Sequence, residues 1–171
     1  VSKKFTTRDG ENIYGYLTMP KGEVERLIVY IHGGPYGIRD FDSYDFSEQY
    51  LASKGAAILK VNYRGSGGYG TDFMEDAYKE WGGRLLNDIA DATKVVQQEL
   101  GIGREQTCAF GASYGGYAAL AMAYKHSELY ECVAGGMGVY DMQILRDGTD
   151  DSVYTTQDDY EETAEKFLGN T

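Results

Sequence analysis

A serine bracketed by glycines is the first feature with chemical potential. Gly111-Ala112-Ser113-Tyr114-Gly115-Gly116 follows the spacing G-x-S-x-G, with one further glycine behind it. Where a strand turns abruptly into a helix, the central serine is forced into a strained backbone conformation and its hydroxyl stands clear of the sheet. Side chains two residues to either side would strike the neighbouring strand and helix, so glycine is needed at both places. The same turn sets the serine at a helix N-terminus, whose dipole favours developing negative charge. Ser113 is therefore the candidate nucleophile of an acyl transfer. A glycine-rich turn with an inert serine would share these letters. The flanks favour the first reading, because Cys108-Ala109-Phe110 reads as a strand and Tyr117 to Ala123 as a helix.

His32-Gly33-Gly34-Pro35 is the second chemical feature, at the end of an apolar run. Bare backbone there would let a carbonyl oxygen approach main-chain donors. An amide from this loop, with the amide following the serine, makes an oxyanion hole. The natural pair is Gly34 with Tyr114, Gly33 being the other candidate for the first donor. A tight turn with no ligand is the plain alternative.

These features need elements to hold them at one end of a sheet. Lys3 to Thr7 and Ile13 to Met19 flank Asp9-Gly10, a hairpin signal. Leu27 to Ile31 is a continuous apolar run, as expected of a strand buried on both faces, and Ala56 to Asn62 reads as the next buried strand. Helical patterns lie between and after them, over Tyr44 to Ser53, Leu85 to Leu100, Tyr117 to Tyr124 and Asp159 to Leu168, with Gly101 as the stop of the second. Thr107 to Phe110 and Glu131 to Ala134 complete the strands. Alternation of this kind predicts a mostly parallel sheet with helices on both faces. The oxyanion turn and the serine turn then share the sheet end where ligands bind.

Length and composition fit one globular domain of 171 residues. A net charge of −11 argues against nucleic acid, whose phosphates need a basic face. No apolar run is long enough to span a bilayer, and the polar start shows no leader pattern. Cys108 and Cys132 stand far apart in apolar segments and are expected to be buried free thiols. With only His32 and His126 as histidines, neither a metal site nor a cofactor is expected.

Taken in order, His32-Gly33-Gly34-Pro35, Asn62-Tyr63-Arg64-Gly65-Ser66-Gly67-Gly68-Tyr69-Gly70 and Gly111-Ala112-Ser113-Tyr114-Gly115-Gly116-Tyr117 resemble the catalytic domain of prolyl oligopeptidase family enzymes. The likeness is greatest to the acylaminoacyl-peptidase and dipeptidyl-peptidase-like branch. It runs from about Lys3 to the end of the chain. The resemblance implies an α/β-hydrolase fold and serine peptidase chemistry on short peptides, aminopeptidase-like in action. It also implies a β-propeller before the domain, which would place Val1 just after that propeller. Arg64 is then a framework ion-pair residue, and Tyr36, Tyr63, Tyr69 and Tyr114 are candidates to wall the pocket. Packing alone would account for the tyrosines equally well. A carboxylesterase or lipase on the same scaffold, or a non-catalytic module, are the alternatives.

What the serine lacks is a base. A hydroxyl is a poor nucleophile until its proton is taken, and in this fold the partners follow the serine as acid, then histidine. His126 comes thirteen residues later, near the far end of the helix launched by the turn, roughly 20 Å away at 1.5 Å per residue. It is expected to be an exposed helix-terminal residue. His32 precedes the serine, so it would brace the oxyanion loop rather than act as base. Asp141 lies just past a strand but has no later histidine to orient. Residues 1–171 are thus expected to be a partial domain of about six strands, without the triad Asp and His, and inactive alone. The stretch Phe167-Leu168-Gly169-Asn170 resembles what precedes the family's next strand. An unpaired sheet edge would then invite homodimerisation. A cytoplasmic location is expected, with periplasm or secretion as alternatives.

Overall fold

A computed structural model of the chain describes residues 1–146 and 164–168. Six strands form one sheet in the order β1-β2-β4-β3-β5-β6. The hairpin β1 (Ser2–Thr6) and β2 (Asn12–Thr18) is antiparallel, and β2 also runs antiparallel to β4 (Ala56–Asn62). From there β4, β3 (Arg26–Ile31), β5 (Thr107–Ala112) and β6 (Cys132–Gly136) are parallel. The chain leaves β3 to one side to form β4 and returns to the other side as β5. That reversal opens a crevice at the carboxyl ends of β3 and β5, where open α/β sheets bind ligands.

Alternation along the strands builds two unequal cores. Leu27, Val29 and Ile31 of β3, with Ala57, Leu59 and Val61 of β4, face α3 (Arg84–Leu100) and α4 (Tyr114–Lys125). Leu85, Ile89, Ala92 and Val96 are the buried stripe of α3. Its end is closed by Gly101 at φ 65°, the left-handed conformation that glycine adopts without strain. The opposite face carries Ile28, Tyr30 and Ile58, packed on Ala52 and Leu51 of helix α1 (Phe46–Ser53). That helix starts where Asp45 accepts the Glu48 amide.

Three short elements escaped the sequence reading: α2 (Thr71–Glu75), a 3-10 turn over Arg104–Gln106, and α5 (Met142–Arg146). Each is too brief for a periodic pattern. Of the last helix expected, 164–168 is helical, with Ala164 and Leu168 buried; its start and Gly169-Asn170 lie outside the described residues.

Two expectations are corrected. Cys108 and Cys132 are not buried thiols: they form a disulfide between β5 and β6, Cα atoms 4.7 Å apart, and Cys132 is exposed. The register pairs these two residues directly across parallel strands, on the thinly covered face. His126 is buried rather than exposed. Its amide closes α4 on the Met122 carbonyl, its Nε2 lies 3.2 Å from Asn87 Oδ1, and burial lowers its pKa.

Candidate active site

Ser113 is the N-cap of α4 and lies at φ 57°, ψ −127°, outside the ordinary wells of a residue with a side chain. Its surroundings impose that conformation. The Ser113 amide donates to Gly136 O at 3.1 Å, anchoring the bend to the end of β6. The Ser113 carbonyl accepts from Gly116 and Tyr117 as the helix begins. A Cβ at Gly111 would fall on the Gly115 carbonyl, and one at Gly115 on the Ile31 carbonyl. The glycine spacing is therefore a packing requirement between β5, α4 and β3. Ser113 itself is exposed.

The turn after β3 lies against this serine. A Cβ at Gly33 would sit 3.4 Å from Ser113 Cβ and 3.8 Å from its Oγ, in ordinary contact, so Gly33 neighbours the serine side chain. Gly34 takes φ 121°, and the Gly34–Pro35 peptide is cis. Tyr114, next along from the serine, buries its ring completely. Its hydroxyl donates to Trp81 O at 2.9 Å, and Trp81 stands edge-on at 4.8 Å. As the first residue of α4, Tyr114 has an amide with no partner inside the helix. An exposed hydroxyl beside bare glycine backbone and a helix N-terminus can host an acyl transfer, with negative charge met by main-chain donors.

His32 is held behind the turn. It stacks on Tyr63 at 4.3 Å, its Nε2 lies 3.0 Å from Ser66 Oγ, and its Nδ1 lies 2.7 Å from Gly33 O. Burial pulls its pKa down to about 4, against a weaker opposing pull from the Gly33 carbonyl, so the ring is neutral near pH 7. It braces the loop, as its position before the serine implied. Asp141 spends its carboxylate on the amides of Gln143 and Ile144 at the start of α5. Among the described residues no histidine or carboxylate bonds Ser113 Oγ, and no cluster of three or more His, Cys, Asp or Glu could hold a metal.

Arg64 is the framework residue its motif implied. Only 4% of its side chain is exposed, and it reaches Asp88 at 2.6 Å, Asp9 at 2.6 Å and Asp76 at 3.0 Å. Burial alone would lower the guanidinium's pKa, but the bonds to Asp88 and Asp9 hold it above its usual value. Asp9 in turn is held down at about 2. Asp88 was missed, although its sequence position is a signal: a charge among Leu85, Ile89 and Ala92 sits on the buried stripe and must find a partner. The four tyrosines proved mainly scaffolding. Tyr63 and Tyr114 are fully buried, the Tyr36 hydroxyl donates to Phe167 O, and Tyr69 accepts from Asn62.

The sequence profile of the prolyl oligopeptidase family matches residues 42–167. This chain belongs to that family. It is 32% identical over 152 residues to dipeptidyl aminopeptidase BIII of Pseudoxanthomonas mexicana, covering 83% of this chain and 22% of that protein. An acylaminoacyl peptidase in complex with Z-Gly-Gly-Phe-chloromethyl ketone superposes with a TM-score of 0.84 at 25% identity, over 100% of this chain and 27% of its own. A puromycin hydrolase gives 0.83 at 26% identity, over 99% and 26%. These likenesses make the fold that of the family's α/β-hydrolase catalytic domain. The chain thus spans only about a quarter of the length of the relatives it matches.

Proposed function

We propose that the protein containing this chain is a serine peptidase that cleaves short peptides near their N-termini through an acyl-enzyme on Ser113. In this reading Ser113 Oγ attacks the scissile carbonyl, and the amides of Gly34 and Tyr114 hold the oxyanion. The base that takes the Ser113 proton, and the acid that orients it, come from outside these 171 residues. The carrying observation is the exposed serine at φ 57°, on a bend whose glycine spacing is set by neighbouring carbonyls and with the Gly33 turn as its neighbour. The printed activities of the relatives, dipeptidyl and acylaminoacyl peptidases, support a peptide over an ester as substrate. Their greater length supports further domains in the whole protein, a β-propeller before this one among them. The outer edge of β6, unpaired among the described residues, supports self-association into a homodimer wherever nothing else covers it.

Full-length protein should hydrolyse aminoacyl-naphthylamides faster than short acyl esters, and Ser113→Ala should abolish both. Wild-type rates in Ser113→Ala would end this reading; ester turnover without amide turnover would move it to a carboxylesterase. The isolated 171-residue chain should resist stoichiometric fluorophosphonate labelling at neutral pH. Rapid, complete labelling would show that a base already lies within reach.

A further inference from the structure

Among the described strands, β6 (Cys132-Val133-Ala134-Gly135-Gly136) is the one with no buried residue. Its composition has a local cause. A Cβ at Gly135 would fall 2.6 Å from the Gly116 carbonyl oxygen, and one at Gly116 would fall 2.7 Å from the Gly136 carbonyl oxygen. The strand therefore gives up side chains so that its backbone can lie against the first turn of α4. That loss weakens its register. A strand is held in register by the pattern of its buried side chains, and glycine-rich strands without such a pattern are prone to slip.

Register at this strand bears directly on the nucleophile. The Ser113 amide donates to Gly136 O at 3.1 Å, and this bond ties the bend to the end of β6. A slip of one residue, about 3.3 Å along the strand, would carry that carbonyl out of reach. The disulfide opposes such a slip. Cys132 opens β6 and is joined to Cys108, its register partner on β5, while Gly136 lies at the other end of the same five-residue strand. One covalent bond thus supplies the register that side-chain packing does not. It lies on the thinly covered face, with Cys132 exposed and Cys108 half-buried, where a soluble thiol can reach it.

We infer that the Cys108–Cys132 disulfide is a redox-sensitive register lock for the nucleophile bend. While it is closed, β6 presents Gly136 O to the Ser113 amide; when a dithiol opens it, the bend loses that fixed anchor and acyl transfer slows. The step is a thiol–disulfide exchange. A thiolate of the dithiol attacks Sγ of Cys132 and displaces the Cys108 thiolate. The dithiol's second sulfur then closes its own disulfide and releases Cys132, so that two electrons and two protons pass to the protein. Disulfides persist in oxidising compartments and are reduced in the cytosol, so activity would follow the thiol balance of the surroundings. The catalytic half of this inference rests on the reading of Ser113 as nucleophile; the anchoring of the bend does not.

The test uses the full-length protein, oxidised or reduced with dithiothreitol, beside the Cys108→Ala/Cys132→Ala variant. It reads kcat and KM on an aminoacyl-naphthylamide, and amide hydrogen exchange by mass spectrometry in the peptide spanning the bend. A misplacement of about 1 Å at a reacting group costs up to about 100-fold in rate. Loosening one anchor should cost less. Reduction is expected to lower kcat about tenfold with KM nearly unchanged. Exchange at the bend should quicken about tenfold while β3 and β4 stay protected. The variant should start at the reduced level and ignore dithiothreitol, and reoxidation with diamide should restore the wild type alone. Unchanged kcat and unchanged exchange at the bend in reduced, folded protein would overturn the inference. So would an equal response to dithiothreitol in the variant, which would place the sensitive bond elsewhere. Faster exchange across the whole sheet, with KM rising as well, would also overturn it, by marking general unfolding. Full activity in Ser113→Ala would instead remove the nucleophile reading, and exchange at the bend would still decide whether the lock exists.

Discussion

Asp40 holds a carboxylate in a place that suits a neutral group. Its backbone is tied to the Asn62 side chain, the amide donating to Oδ1 at 2.8 Å and the carbonyl accepting from Nδ2 at 3.1 Å. Its Oδ2, however, is buried with no partner among the described residues. Burial raises its pKa from 3.8 to about 6; Lys60 pulls the other way but is itself engaged by Glu48. A carboxyl whose folded pKa is raised destabilises the fold when ionised, and the fold recovers as pH drops from about 6 through 3.8. At about 1.4 kcal/mol per unit, the ionised group costs up to about 3 kcal/mol near neutrality, and about 2 kcal/mol after allowing for its partial exposure. Asp40→Asn removes that cost. Thermal unfolding of both chains from pH 4 to pH 8 reads it. The variant's advantage should grow by about 2 kcal/mol between pH 4 and pH 7.5, or about 4–8 °C in Tm for a domain of this size. Any constant offset from the new amide shifts both ends alike and cancels. A difference in Tm that does not change with pH would refute the reasoning.

His32 should act with the opposite sign. Its folded pKa of about 4 lies below the unfolded 6.5, so stability is complete above pH 6.5 and is lost toward pH 4, by about 3 kcal/mol. The two effects nearly cancel in the wild type, so the Asp40→Asn chain should show the steeper acid decline; a flat profile there would count against a buried neutral His32. Arg64→Met should lower stability by about 3–5 kcal/mol in urea unfolding, because Asp88 keeps a buried charge without its partner. A shift under 1 kcal/mol, on the order of an exposed pair, would show the charge to be solvated. Non-reduced protein should yield no thiol to Ellman's reagent, and reduction should cost about 3 kcal/mol for a loop of 24 residues. Two free thiols in the unreduced, folded chain would rule the bond out.

The parts of the site that sequence revealed were those set by short-range sterics. The glycines at 111 and 115 are dictated by carbonyls that any β-carbon would strike, so spacing alone located the bend at Ser113. Strand β4 was equally plain, because all seven of its residues are buried and its sequence is apolar except for Lys60 and the closing Asn62. What stayed hidden depends on which strands become neighbours. Nothing in two distant cysteines says that β5 and β6 lie side by side with Cys108 opposite Cys132; that is a property of register. His126 was misjudged for a related reason. A helix end is usually solvated, but this one abuts α3 and Asn87 closes over the ring. The Ser66 bond to His32 spans 34 residues and two loops, and neither loop announces the other.

Arg64 gathers segments that enter the structure separately: Asp9 from the hairpin between β1 and β2, Asp76 after α2, and Asp88 from the first turns of α3. A chain in which one of these has yet to arrive would hold a desolvated cation or anion with too few counter-charges. Half-assembled forms are thereby disfavoured more than either end state, and the hairpin, the loop after β4 and the long helix are expected to melt together. The knot thus works as a cooperativity device, binding the fate of the amino-terminal hairpin to that of the central sheet.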